Sequence, residues 1–134
     1  MTFKKSEGDL KTPKGKFKFN FLMYRKDRIK KINCKIKKIK INKNMGLCDD
    51  SNSNYYNKLI KFPFSNKAEK LYLKSNIYDL ILVINYNMSP TIKNKGSAIF
   101  LHIANKTFGP TQGCVAISKK DFLKILPLIN KKTN

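Results

Sequence analysis

Tryptophan is absent, histidine occurs once, and of 29 basic residues only Arg25 and Arg28 are arginine. The shortage of arginine bears on function. A net charge of +21 first suggests a polyanionic partner. Yet the arginine forks that grip phosphates and bases bidentately are nearly missing. The lysines run along the whole chain beside abundant asparagine and isoleucine, as codon drift in an AT-rich genome would produce. No specific nucleic-acid interface is expected; the charge aids solubility and attracts anions. Cysteine is also sparse: Cys34, Cys48 and Cys114, an odd number with no CxxC pair. With one histidine, that set argues against a zinc site and leaves at least one thiol without an intramolecular partner. Long apolar runs are lacking too. The longest, "DLILVI", falls far short of the roughly 20 residues that span a bilayer. The opening "MTFKKSEGDLKTPKGK" has no apolar h-region, so no export signal is visible.

What remains is enough for a packed globule. The 134 residues are 41% hydrophobic and 11% aromatic, which fits one domain over residues 1–134 with a real core and not a basic disordered tail. "EGDLKTPKGKF" (7–17) is turn-rich and is read as a turn that fixes the first strand. In "KFKFNF" Phe17, Phe19 and Phe21 alternate with polar residues, as in a half-buried strand. "RIKKINCKIKKIKIN" fits both periods, and the stiffness of isoleucine tips the reading toward strand. "NMGLCDDSNSNYYN" (44–57) reads as loop. Residues 78–86 form the strongest strand, apolar on both faces and therefore central. "SAIFLHIA" follows as a strand with Phe100 and His102 on one face, then a loop, "NKTFGPTQG", and a short strand, "CVAI". Ser118 and Asp121 open a short helix, "KKDFLKIL", which Pro127 should end. The fold class expected is mostly β with a short C-terminal α-helix.

The chemistry concentrates in "GSAIFLHIANKTFGPTQGCVAIS" (96–118). A cysteine nucleophile works as thiolate, and a free thiol near pKa 8.5 is mostly protonated at neutral pH. An adjacent imidazole takes the proton, and a third group fixes its tautomer. His102 lies on one strand and Cys114 starts the next; a loop this short allows the two strands to be neighbours. Gly113 permits an unusual backbone conformation and leaves room for a carbonyl to approach the N–H groups of Gly113 and Cys114. A buried core cysteine with an unrelated histidine would satisfy the same spacing. Cys48-Asp49-Asp50 does not suggest a metal pair, because adjacent strand carboxylates face opposite ways; loop structure or recognition of an ammonium suits them better.

That segment resembles the signature region of the L,D-transpeptidase catalytic-domain (YkuD-like) family. In the family, a strand histidine precedes a Ser/Thr-His-Gly-Cys turn whose cysteine is acylated by peptidoglycan stem peptides. The chain is more closely similar to a short bacterial subgroup, whose motifs recur in order as "EGDLKTPKGKF", "YRKDR", "CDDSNSNYYN", "YDLILVINYN" and the His-to-Cys segment. The resemblance covers about 6–126. It implies a β-sandwich in which Cys114 is the nucleophile and His102 the general base and acid. Gly113 and Cys114 would form the oxyanion hole, and Thr111 and Gln112 would contact substrate. It further implies no metal or organic cofactor, stem peptides as donor and acceptor, a monomer, and a place in the cell envelope. Gln112 stands where the family has a second histidine, and Ala116 where many members have Arg or Asn. The subgroup usually carries a further N-terminal segment with an export signal, so a minimal domain and a truncated one both stay open. A second class of function is a non-catalytic basic module binding wall polymer or nucleic acid, supported by the charge and the missing second histidine.

Overall fold

The computed structural model describes residues 1–134 and consists of two β-sheets and one short helix. The strands are β1 (Phe19–Tyr24), β2 (Lys38–Lys40), β3 (Met45–Cys48), β4 (Leu59–Lys61), β5 (Ala68–Lys70), β6 (Leu80–Ile84), β7 (Ile99–Ile103) and β8 (Val115–Ile117). Helix α1 (Lys119–Ile125) follows and tightens into a 3₁₀ turn at Leu126–Leu128. The larger sheet has the order β2-β1-β6-β7-β8, and the smaller one β4-β3-β5.

Period-two alternation divides the core between the two faces of the larger sheet. Leu22, Leu80, Leu82, Leu101 and Ile103 face α1 and the 25–36 segment, where Ile29, Ile36, Phe122 and Leu126 pack on them. The intervening Met23, Ile81, Val83 and Phe100 face the smaller sheet and meet Met45, Leu47 and Leu71. The result is a mostly β sandwich with a helix on its outer face. Leu80, Ile81, Leu82 and Val83 are each fully buried, as a central strand covered on both sides must be.

Two local readings need correction. Met45–Cys48, assigned to a loop by composition, is a strand buried at every position and the centre of the smaller sheet. Its polar neighbours hid a four-residue apolar core. The isoleucine-rich 29–41 segment is extended as a strand only at Lys38–Lys40; Ile29 and Ile36 reach the core from irregular backbone. The α-helix stops before Pro127 as expected: α1 ends at Ile125, and Pro127 sits in the first turn of the 3₁₀ segment, where no N–H is needed. The helix start matches expectation: Ser118 Oγ accepts from Asp121 N–H at 3.1 Å.

Both arginines are structural. Arg25 is buried, donates to both carboxylate oxygens of Asp27 and to Leu73 O, and stacks 3.6 Å from the Tyr72 ring centroid. Arg28 donates to Asp79 and to the carbonyls of Lys74 and Ser75. Together they pin the 72–79 loop to the turn after β1, and that loop delivers Tyr78 to the cavity described next.

Candidate active site

β7 and β8 run parallel with His102 opposite Ala116 and Leu101 opposite Val115. One step back along the same register, Cys114 lies opposite Phe100. His102 and Cys114 are thus diagonal neighbours on the face that meets the smaller sheet, a separation of about 8 Å between backbone positions given strand spacing and rise. Both side chains line one cavity of about 540 Å³, together with Thr111, Gln112, Tyr78, Glu69, Asp49 and Glu7.

His102 is 6% exposed, and its Nδ1 lies 2.9 Å from Ile103 O. A carbonyl oxygen only accepts, so Nδ1 carries the proton and Nε2 is left as the basic atom of the neutral ring. The Tyr78 ring stands edge-on to it, with centroids 5.4 Å apart and planes at 81°. No hydrogen bond joins His102 to Cys114. The thiol sulfur instead accepts from Phe100 N–H at 3.4 Å. Burial pushes the Cys114 thiol up to about 11; the Phe100 N–H opposes the rise, the Glu69 carboxylate adds to it and the Lys5 ammonium opposes it. The Cys114 sulfur is therefore a thiol near neutrality, and it could act as a nucleophile only with a base at hand.

Gly113 turns the chain into this site. Its φ is +98°, and a Cβ there would lie 2.8 Å from Lys11 O. Both facts demand glycine. Thr111 Oγ1 donates to Cys114 O and closes the turn. The N–H groups of Gly113 and Cys114 donate to no acceptor within the protein. Gln112 is exposed at the rim.

The N-terminal "EGDLKTP" segment does more than fix the first strand. A bridge between Thr2 and Pro13 closes it into a loop, and Thr12 Oγ1 donates to Gly113 O at 2.7 Å. Asp9 gathers the loop by accepting from Lys5 Nζ, Ser6 N–H and Lys11 N–H. Burial alone would raise its carboxyl, but those donors outweigh it and hold it at about 2. Lys5, Glu7, Gly8 and Leu10 form a wall of the cavity. Glu7 accepts from Tyr56 Oη and from Ser97 Oγ, the latter at 2.9 Å to each oxygen. Asn57, buried with φ of +60°, accepts from Ala98 N–H and donates to Gly96 O, steering the chain into β7.

A family model described as the L,D-transpeptidase catalytic domain (YkuD) matches residues 3–134. The chain belongs to that family. No curated protein and no solved structure matches it. Family membership supports L,D-transpeptidase function in general and peptidoglycan as the substrate class. No helix is long and apolar enough to cross a membrane.

Asp49 and Asp50 diverge as adjacent residues should. Asp49 enters the cavity wall, with Oδ2 3.8 Å from Lys67 Nζ and Oδ1 buried without a partner, whereas Asp50 Oδ1 accepts from Asn52 N–H in a turn. Sequence reasoning missed Tyr78 and Glu69 as site residues. Tyr78 Oη donates to Glu69 Oε1. Nothing local marks either one: Tyr78 reads as the first residue of a central strand, and Glu69 as a polar residue between lysines.

Proposed function

We propose that this L,D-transpeptidase-family domain, acting as a monomer in the cell envelope, performs acyl transfer on peptidoglycan stem peptides through a Cys114 thioester. Cys114 attacks the carbonyl of the third, diamino-acid residue of a donor tetrapeptide. His102 Nε2 takes the thiol proton as the C–S bond forms, then gives it to the departing nitrogen as the C–N bond breaks and D-alanine leaves. The N–H groups of Gly113 and Cys114 receive the oxyanion, a contribution of about 3 kcal/mol per donor in well-studied enzymes. Thr111 keeps the turn in shape and Gln112 contacts the donor at the rim. An amine of a second stem resolves the thioester; water in its place gives carboxypeptidase activity. No step requires a metal or an organic cofactor.

The observation that carries this reading is the pairing of Cys114 with a histidine on the neighbouring strand, in one cavity, whose Nδ1–H is committed to Ile103 O. The test is intact mass after incubation with a stem tetrapeptide or a carbapenem. Cys114→Ala should form no adduct, while Cys34→Ala and Cys48→Ala should still form one. An adduct on the Cys114 variant would sink the assignment.

A further inference from the structure

Resolving the thioester with an amine sets a proton problem that one histidine does not solve. At neutral pH an alkyl amine arrives as ammonium. It must lose one proton to expose its lone pair and a second as the amide forms. His102 handles the second, since the thiolate released from Cys114 has to be reprotonated. The first needs another acceptor, and Gln112 cannot take a proton at neutral pH.

The cavity offers carboxylates out of proportion to the chain. Glu7, Asp49 and Glu69, three of only eight acidic residues, line it, so a strongly basic protein presents acid at its nucleophile. They are not equivalent. Glu7 is engaged by the hydroxyls of Tyr56 and Ser97. Asp49 has Lys67 beside it. Glu69 has no cationic partner; its one side-chain hydrogen bond comes from the neutral Tyr78 hydroxyl, to Oε1, and Oε2 accepts nothing from the protein. It stands near enough to Cys114 to raise the thiol. Tyr78, which holds it, also abuts His102. A partly buried carboxylate without a counter-charge is costly unless a ligand supplies one.

We propose that Glu69, oriented by Tyr78, is the acceptor-recognising residue of the site: it binds the ammonium of the incoming amine and takes up its first proton. This rests on the acyl-transfer reading above. Burial raises Glu69 above the ordinary carboxylate range, with the Tyr78 hydrogen bond opposing and Asp49 adding, and the same desolvation lowers an ammonium docked against it. Proton transfer from nitrogen to Oε2 leaves a neutral amine and a neutral carboxylic acid. The nitrogen lone pair attacks the thioester carbonyl, the C–S bond breaks, and the sulfur leaves as thiolate. His102 takes the second N–H proton and passes it to the sulfur, while Glu69 returns its proton to solvent.

The test compares two acceptors on the preformed thioester of a stem tetrapeptide donor, with products separated by mass. One is an Nα-acetylated lysine amide, an ammonium at neutral pH; the other is hydroxylamine, already neutral there. For each acceptor, the ratio of aminolysis to hydrolysis is measured in the parent and in Glu69→Gln. The expected result is a fall of at least about tenfold for the lysine acceptor, a threshold set below the about 10²- to 10⁴-fold of general-base effects, and a fall of no more than about twofold for hydroxylamine. Tyr78→Phe should show the same selectivity more weakly. Equal falls for both acceptors, or no fall for either, would overturn the role of Glu69 while leaving the thioester chemistry intact. No thioester in the parent protein would refute the acyl-transfer reading itself, and this inference with it.

Discussion

Replacing His102 by alanine removes the only imidazole in the chain, and the structure fixes how the loss should depend on pH. The Cys114 thiol is pushed up to about 11 by burial, so at about pH 7 only roughly one molecule in 10⁴ carries thiolate unaided. On the proposed mechanism the parent avoids that penalty because His102 would remove the proton during attack, an effect typically worth about 10²- to 10⁴-fold. Acylation of His102→Ala by a carbapenem should therefore be slower by orders of magnitude near neutrality. Its rate should then climb about tenfold per pH unit, without levelling in the range of an ordinary thiol near 8.5. Between about pH 7 and about pH 9 the variant should gain roughly 100-fold and still be rising. Intact-mass time courses across about pH 6 to about pH 10 give both curves. A variant as fast as the parent near neutrality would make His102 a packing residue and end the dyad. A variant rate that levels below about pH 9 would mean that the thiol is not held up by burial, and the base would have less to do.

The turn before Cys114 gives a second expectation. In Gly113→Ala the new Cβ would meet Lys11 O at 2.8 Å with φ at +98°. The strain is about 1–3 kcal/mol, and displacing the N-terminal loop also loses the Thr12 bond to Gly113 O, worth about 1 kcal/mol. Denaturant unfolding should show a loss of about 2–4 kcal/mol, and unchanged stability would contradict the close packing of residues 11 and 113. Alkaline stability supplies a third. Because the folded thiol titrates at about 11 against 9.0 for its reference value, the folded state holds more protons than the unfolded one between those values. Its contribution is complete below about pH 9 and fades as pH rises toward about 11, amounting to at most about 3 kcal/mol. Cys114→Ser should remove that part of the decline, measured as the difference between the two proteins' unfolding midpoints; parallel curves would count against a buried neutral thiol.

The parts of the fold legible in the sequence are those in which one residue pattern meets one environment. Residues 80–84 are apolar at every position because β6 is covered on both faces, and the run "IFLHI" is buried throughout because β7 also lies inside the sheet. Ser118 caps α1 through a bond three residues long. Met45–Cys48 was not legible, since a buried four-residue strand between asparagines and aspartates leaves no period to count. The edge strands Leu59–Lys61 and Ala68–Lys70 are three residues each, and only their pairing with β3 makes them strands.

For the site, the same distinction runs between groups that carry chemistry and groups that place it. His102 and Cys114 stand out by residue type, the one imidazole and one of three thiols in the chain. The groups around them depend on contacts far apart in sequence. Thr12 meets Gly113 across 101 positions, Ser97 meets Glu7 across 90, and Asn57 meets Ala98 across 41. In the sequence, the turn-forming residues of "EGDLKTP" are enough to explain it as a turn, and turn chemistry does hold the loop together through Asp9. Its outer surface, however, is a wall of the cavity, and the glycine before Cys114 is glycine partly because the Lys11 backbone lies against it. The two motifs therefore constrain each other: the N-terminal loop needs a residue without a side chain at 113, and the Gly113-Cys114 turn needs that loop to close its side of the cavity.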